Sequence, residues 1–129
     1  MILSKKIGQY ILLGKTRDDA AGECFDKSAR MLGLPYPGGK EISKLASDAR
    51  KDNIASIFTL PRPMIHSKDF DFSFSGLKTA LLYSLRDLDK DITIKDKKSI
   101  AREVEESIVD VLVHKTIKAL KDTNTKTLI

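Results

Sequence analysis

Apolar side chains at three- and four-residue spacing dominate the last third of this 129-residue chain. Residues that recur in this way fall on one face of an α-helix, because the helix turns once every 3.6 residues. Three shorter segments with similar spacing predict helices over residues 18–32, 41–49 and 77–88, so we expect a mostly α-helical chain. The long segment predicts a helix over residues 98–121, marked by Ile100, Val104, Ile108, Val111, Leu112 and Leu120.

The beginning of the chain has a different pattern. Residues 7–13 are rich in β-branched and aromatic side chains between two glycines, which predicts a short N-terminal strand or hairpin. Thr16 followed by Asp19 is a pattern typical of helix starts, and Gly33 stands where helices commonly end. At the other end, residues 127–129 are apolar and are expected to open a further strand.

A run of alternating phenylalanines precedes the third predicted helix. Phe70, Phe72 and Phe74 are separated by polar residues, so an extended backbone would place the three rings on one face. We interpret them as a core-facing strip rather than as an aromatic ligand site.

Composition limits the classes of protein that this chain can represent. The formal net charge of +5 is spread along the chain and favours only weak, salt-sensitive contact with polyanions. No apolar run is long enough for a signal peptide or a membrane span, and the single cysteine excludes an intrachain disulfide. These features predict a cytoplasmic protein without a membrane partner.

The residue types that most often carry chemistry are sparse. His66 and His114 stand far apart in sequence and outside any metal-binding motif, which favours surface or packing roles. Cys24 falls on the apolar side of its predicted helix, where a small buried residue is expected rather than a nucleophile. Glycine-rich phosphate-binding motifs are absent from the sequence. We therefore assign no catalytic residue and no metal ligand to this chain.

One pair of residues suggests a ligand site. Asp26 lies off the strongest apolar stripe of its predicted helix, where a carboxylate can accept hydrogen bonds from a ribose diol. The loop of residues 35–39 contains two prolines and ends in Gly38 and Gly39, and Gly39 can let a nucleoside lie against bare backbone. A solvated aspartate and an ordinary turn explain the same residues, so spacing alone leaves both interpretations open.

Two ordered blocks of sequence resemble the bacterial TsaD family, formerly called Gcp or O-sialoglycoprotein endopeptidase. The resemblance extends over residues 7–129 and corresponds to the middle of a full-length family member. The matching motifs are Gly-Lys-Thr-Arg-Asp-Asp-Ala-Ala-Gly-Glu-Cys-Phe-Asp-Lys from residue 14, Leu-Pro-Tyr-Pro-Gly-Gly from residue 34, Pro-Arg-Pro from residue 61 and Asp-Phe-Ser-Phe-Ser-Gly-Leu-Lys-Thr from residue 71.

The resemblance implies an α/β fold of the actin-like ATPase, or ribonuclease H-like, type. It also implies an enzyme that transfers threonylcarbamoyl from threonylcarbamoyl-adenylate to the tRNA adenosine beside the anticodon, with a TsaB-like paralogue and a TsaE-like P-loop ATPase as partners. Asp26 and Gly39 match the family's ligand contacts. Ser43 stands where the family often has an aspartate, and Cys24 where it usually has alanine.

Family members also bind iron or zinc through a His-x-x-x-His motif and a C-terminal aspartate, and none of these ligands is present in this sequence. Residues 1–129 are therefore expected to be the central part of a Gcp-like domain, without the N-terminal metal-ligand region and the C-terminal region. We expect the chain alone to be inactive, because metal polarisation and phosphate positioning supply much of the catalysis of acyl transfer. Alternatives are a non-catalytic binding or scaffold subunit of the same fold and, less favoured, a metalloendopeptidase. An unpaired strand edge also leads us to expect self-association.

Overall fold

A hairpin followed by four helices makes up the part of the chain that this computed structural model describes, residues 1–88 and 91–129. The expected mostly helical architecture with an N-terminal hairpin is confirmed. None of the described helices combines the length and the apolarity needed to cross a membrane. The elements are β1 (Ile2–Lys6), β2 (Gln9–Leu12), α1 (Ala21–Met31), α2 (Gly38–Lys51), α3 (Ser75–Asp87) and α4 (Ile94–Asp122).

The two strands of the hairpin pair in antiparallel register, with Ile2 opposite Leu12. The strand predicted over residues 7–13 begins too early, because Ile7 and Gly8 form the turn between the strands. Gly8 has φ +80°, which a glycine adopts without the steric cost of a side chain. The strand expected at residues 127–129 is wrong, since these residues hydrogen-bond to no described neighbouring strand. A cleft of about 490 Å³ lies between them, β1 and the end of α4.

Helix α4 lies at the centre of the core and packs mainly against α2. It begins at Ile94, four residues before the prediction, because Thr93 and Asp96 form a capping box in which each side chain binds the other's backbone amide. Helices α1 and α3 complete the core around this pair. The fully buried apolar residues include Ile42, Leu60, Leu77, Leu81, Ile100, Val104, Ile108 and Val111.

Three of the helices end in the same way. The residue after the C-cap is Gly33, Asn53 or Asn124, and each has a φ between +52° and +66°. In each case the next amide returns to a carbonyl five residues earlier, which is the hydrogen-bond pattern of a Schellman motif. The predicted stop of the first long helix at Gly33 is thereby confirmed.

The connection between α2 and α3 is fastened to α4 by polar side chains. Ser99 accepts from the amide of Ile57 and donates to the carbonyl of Ala55. Glu103, which is 5% exposed, accepts from the amide of Leu60 and from the guanidinium of Arg62. The Pro-Arg-Pro segment is therefore held by a buried carboxylate of the central helix.

Helix starts differ from the predictions more than helix ends do. Helix α1 begins at Ala21 instead of Asp18, because Thr16 donates to the carbonyls of Asp18 and Asp19 and caps no amide of α1. Helix α2 extends over Gly38–Lys51, beyond the predicted residues 41–49. Helix α3 agrees with the predicted residues 77–88 to within two residues at each end.

The phenylalanine strip is correct in part. Phe74 is buried, Phe72 packs against the core, and their rings stack with centroids 6.3 Å apart. Phe70 lies outside this core, because its ring is covered by the ammonium group of Lys118 at 4.3 Å. The strip is extended and bridges to another segment only at Phe72, which pairs with Thr16.

Candidate functional site

Asp26 and the start of α2 form the candidate site. Asp26 lies on α1, and its Oδ1 atom accepts a hydrogen bond of 2.7 Å from the backbone amide of Gly38, the first residue of α2. The N-cap residue of α2 is Pro37, whose side chain caps nothing. The carboxylate on α1 therefore does the work that an N-cap side chain normally does, and it explains why α2 begins at Gly38.

The second carboxylate oxygen of Asp26, Oδ2, can accept further hydrogen bonds. Within residues 1–88 and 91–129, no hydrogen-bond donor contacts Oδ2. The residue is half-buried and therefore remains partly accessible to solvent. An ionised carboxylate offers about four acceptor positions, and only one is filled here. Asp26 can thus hold the start of α2 and accept a hydroxyl group from a ligand at the same time.

The two glycines beside Asp26 have different roles. Both belong to the first turn of α2, and neither has a positive φ, so the backbone conformation at these positions does not require glycine. Gly38 is buried, and a Cβ atom there would lie 2.3 Å from the Cβ of Ala29. Close packing of α1 against α2 therefore requires glycine at this position.

Gly39 is under no such constraint. A Cβ atom there would lie 3.7 Å from the Cβ of Phe25, an ordinary van der Waals distance. The fold does not need glycine at Gly39, which leaves close approach by a ligand as one use for its missing side chain. Ser43 follows four residues later on α2 and is exposed.

Asp18, in contrast, accepts hydrogen bonds from the protein with both of its carboxylate oxygens. Its two oxygens accept from the hydroxyls of Ser73 and Ser75 and from the amides of Phe74 and Ser75, at the start of α3. Partial burial opposes ionisation, but these four hydrogen bonds together outweigh it and lower the pKa of Asp18 to about 2. Sequence reasoning missed this role, because the cap and its helix are more than 50 residues apart.

Lys115 is the second residue that the sequence analysis missed. Its side chain is completely buried on α4, and its ammonium group donates to Ser67 Oγ and to the carbonyls of Asp69 and Asp71. A signal was present in the sequence, because Lys115 falls four residues after Val111 on the apolar stripe. A lysine on such a stripe indicates a buried polar contact.

The histidines and the cysteine lie outside the candidate site. His66 and His114 are exposed and touch edge to face, with ring centroids 5.6 Å apart. Cys24 is completely buried, which confirms its expected burial in the core, and loss of solvation raises the pKa of its thiol to about 11.

The residues present do not fit the iron or zinc ion that the resemblance implies. No group of three or more His, Cys, Asp or Glu side chains with a metal-binding arrangement occurs in the described part of the chain. Asp110, one helical turn before His114, is already bound by the guanidinium of Arg62 at 2.9 Å. Two neighbouring imidazoles alone do not make the three- or four-ligand set that such ions take in proteins.

Comparison with known proteins gives a consistent result. The family described as "TsaD: tRNA N6-adenosine threonylcarbamoyltransferase" matches residues 1–129. Proteins named tRNA N6-adenosine threonylcarbamoyltransferase from Herminiimonas arsenicoxydans and Polynucleobacter asymbioticus are 52% and 54% identical, each over 95% of this chain. The relative of the same name from Thermosipho africanus is 48% identical over 100% of the chain.

The matched region is a limited part of those proteins. It covers 35% of the Herminiimonas and Polynucleobacter relatives and 37% of the Thermosipho relative. The match nevertheless includes every element described above. By sequence, this chain belongs to the TsaD family.

Proposed function

We propose that this chain forms part of the adenylate site of a tRNA N6-adenosine threonylcarbamoyltransferase. That enzyme transfers threonylcarbamoyl from threonylcarbamoyl-adenylate to the exocyclic amine of the tRNA adenosine beside the anticodon. The observation that carries the proposal is the free Oδ2 of Asp26 at the start of α2, in a chain that matches the TsaD family throughout.

In this proposal Asp26 has two simultaneous roles. Oδ1 fixes the position of Gly38 through the 2.7 Å hydrogen bond, and Oδ2 accepts a hydroxyl of the adenylate ribose. Because the first bond fixes the carboxylate in advance, less side-chain entropy is lost when the ligand binds. The bare backbone at Gly39 gives the nucleoside room to lie against α2.

The remaining catalytic parts belong to other regions of the enzyme. The described residues do not provide the ligand set for the iron or zinc that the family uses. Residues 1–129 would be the central part of a Gcp-like domain with the actin-like ATPase fold. Such an enzyme acts in the cytoplasm on tRNA, together with a TsaB-like paralogue and a TsaE-like P-loop ATPase.

A segment exchange tests this function directly. Residues 1–129 replace the matching 37% of the Thermosipho relative, and threonylcarbamoyladenosine formation in tRNA is then measured. We expect the chimera to be active, and Gly39→Ala in the chimera to lose affinity for threonylcarbamoyl-adenylate while keeping its stability. The isolated chain should show no turnover.

Two results would contradict the proposal. A folded chimera that binds the partner subunits but neither binds threonylcarbamoyl-adenylate nor modifies tRNA would favour a non-catalytic scaffold. Turnover by the isolated chain would show that its own residues supply the missing chemistry.

A further inference from the structure

Three lysines of α2 form a continuous basic face. Lys40, Lys44 and Lys51 are exposed. At 100° per residue their directions fall within about 40° of one another, because four residues advance the helix by slightly more than one turn and seven by slightly less than two. This lysine face points away from the buried side of α2, which consists of Ile42, Ala46 and Ala49.

The lysine face has no carboxylate partner within the described part of the chain. Among the described residues, no acidic group lies within 4 Å of the three ammonium groups, whereas neighbouring basic residues are paired. Arg50 on the same helix bonds to Glu105, and Lys98 on α4 bonds to Asp52 at 2.7 Å. The positive charge of the lysine face is thus available to an external anion.

The arrangement also costs helix stability. Lys40 lies in the first turn of α2, where the helix dipole disfavours a positive charge. Lys40 and Lys44 are four residues apart, so their like charges repel each other along the helix surface. Glu41 in the first turn and Lys51 in the last turn suit the helix dipole, so the cost is confined to Lys40 and its repulsion from Lys44.

The position of the lysine face connects it to the candidate site. Lys40 directly follows Gly38 and Gly39, and the face extends from there along the helix. With a rise of 1.5 Å per residue, Lys40 and Lys51 are separated by about 16 Å along the axis. Several successive phosphates of a nucleic acid strand fit along this distance.

We propose that the lysine face of α2 binds the phosphodiester backbone of the tRNA substrate. The inference rests on the proposed function, because the tRNA adenosine must reach the adenylate held by Asp26 and Gly39. Backbone contacts of this kind set position and orientation without reading sequence. Lys40 would contact the phosphate nearest the reacting adenosine, and Lys51 a phosphate farther along the strand.

The test compares two triple variants of the full 129-residue chain. One carries Lys40→Gln, Lys44→Gln and Lys51→Gln. The control carries Lys6→Gln, Lys95→Gln and Lys126→Gln, at three other exposed lysines without a described ion pair. Glutamine has a helix propensity close to that of lysine, and both variants lose the same total charge. Circular dichroism confirms that each is folded.

Binding of an unmodified tRNA transcript is measured by fluorescence anisotropy between 50 and 200 mM salt. For the α2 variant we expect about tenfold weaker binding at about 100 mM salt. Its slope of log affinity against log salt should be shallower by about 2, because three phosphate contacts are lost. The control should change the slope by less than about 1.

Several outcomes would overturn the inference. These are equal losses in the two variants, an unchanged slope in the α2 variant, no tRNA binding by the unaltered chain, or duplex DNA competing as well as tRNA. Failure of the proposed function has a different signature. An inactive chimera together with selective loss of tRNA binding in the α2 variant would contradict the proposed function but support tRNA binding by the lysine face. An active chimera together with equal losses of tRNA binding in the two variants would contradict only tRNA binding by the lysine face.

Discussion

Asp18 and Asp26 both cap the N-terminus of a helix, but they differ in how many hydrogen bonds their carboxylates accept. Each is a carboxylate from one segment that binds the N-terminal amides of a helix elsewhere in the chain, Asp18 at α3 and Asp26 at α2. Asp18 accepts four hydrogen bonds with both oxygens. Asp26 accepts one described hydrogen bond and keeps Oδ2 free.

The comparison separates a structural residue from a ligand-binding candidate. A carboxylate whose acceptors are all occupied by its own chain contributes to folding, and its loss lowers stability. A carboxylate with a fixed position and a free oxygen is prepared for a ligand, and its loss should affect binding more than folding. Substitutions on the two sides of this comparison should therefore have opposite signatures.

The largest effect on stability is expected from Gly38→Ala, at the residue whose amide Asp26 binds. The new methyl group would lie 2.3 Å from the Cβ of Ala29, so α1 and α2 would have to move apart. Overpacking of this kind costs about 3 kcal/mol in the free energy of unfolding, measured by urea denaturation. Ala29→Gly in the same chain should restore part of the loss, and an unchanged stability of Gly38→Ala would contradict the described packing.

Asp18→Ala is expected to have the next largest effect. It removes both acceptor oxygens, with their four hydrogen bonds, from the start of α3 and leaves the amides of Phe74 and Ser75 without this partner. The expected loss is about 2 kcal/mol, at the upper end of measured N-cap substitutions. Asp18→Asn keeps one acceptor oxygen and should lose less. Equal urea midpoints for Asp18→Ala and the unaltered chain would show that the four bonds contribute nothing.

Lowering the pH should also remove the contribution of Asp18 to stability, with a smaller effect than the substitution. Because the pKa of Asp18 is lowered from 3.8 to about 2 on folding, its contribution is complete above about pH 5 and is lost progressively as the pH falls through 2. Asp18 is exposed, so solvent screening limits this contribution to about 1 kcal/mol or less. The pKa values of Asp69 and Asp71 are also lowered, by hydrogen bonds chiefly from Ser67 and from the Lys15 amide respectively.

The contribution of Asp18 to the acid sensitivity is therefore measured as the difference between the unaltered chain and Asp18→Asn. Between pH 4.5 and 2.5, the unaltered chain should lose more stability than Asp18→Asn does in urea titrations. Identical losses in the two chains would assign the acid sensitivity to other carboxylates.

The contrast between the two aspartates also explains what the sequence could and could not predict. Apolar spacing located all four helices, because burial of one face is a local pattern that the sequence states directly. The ends of α1 at Gly33 and of α3 near Leu88 were likewise predicted from nearby residues.

The starts of α2 and α3 were less predictable because distant side chains cap them. Asp26 brings the start of α2 forward to Gly38, and Asp18 serves α3 instead of starting its own helix. No local pattern contains either hydrogen bond. Gly39 was predicted as a ligand contact together with Asp26, yet the role of Gly38 in packing required the distance to Ala29. The Thr93–Asp96 capping box, in contrast, is local and was available in the sequence.

The most direct test of the central claim is the affinity of the chimera for threonylcarbamoyl-adenylate, measured by calorimetric titration with Asp26 and with Asp26→Asn. Asparagine keeps an acceptor oxygen for the amide of Gly38, so stability should change by less than about 0.5 kcal/mol. Loss of the charge and of the free oxygen should weaken ligand binding about 10- to 100-fold. We expect this loss of affinity in a stably folded protein. Binding by Asp26→Asn with unaltered affinity would contradict it.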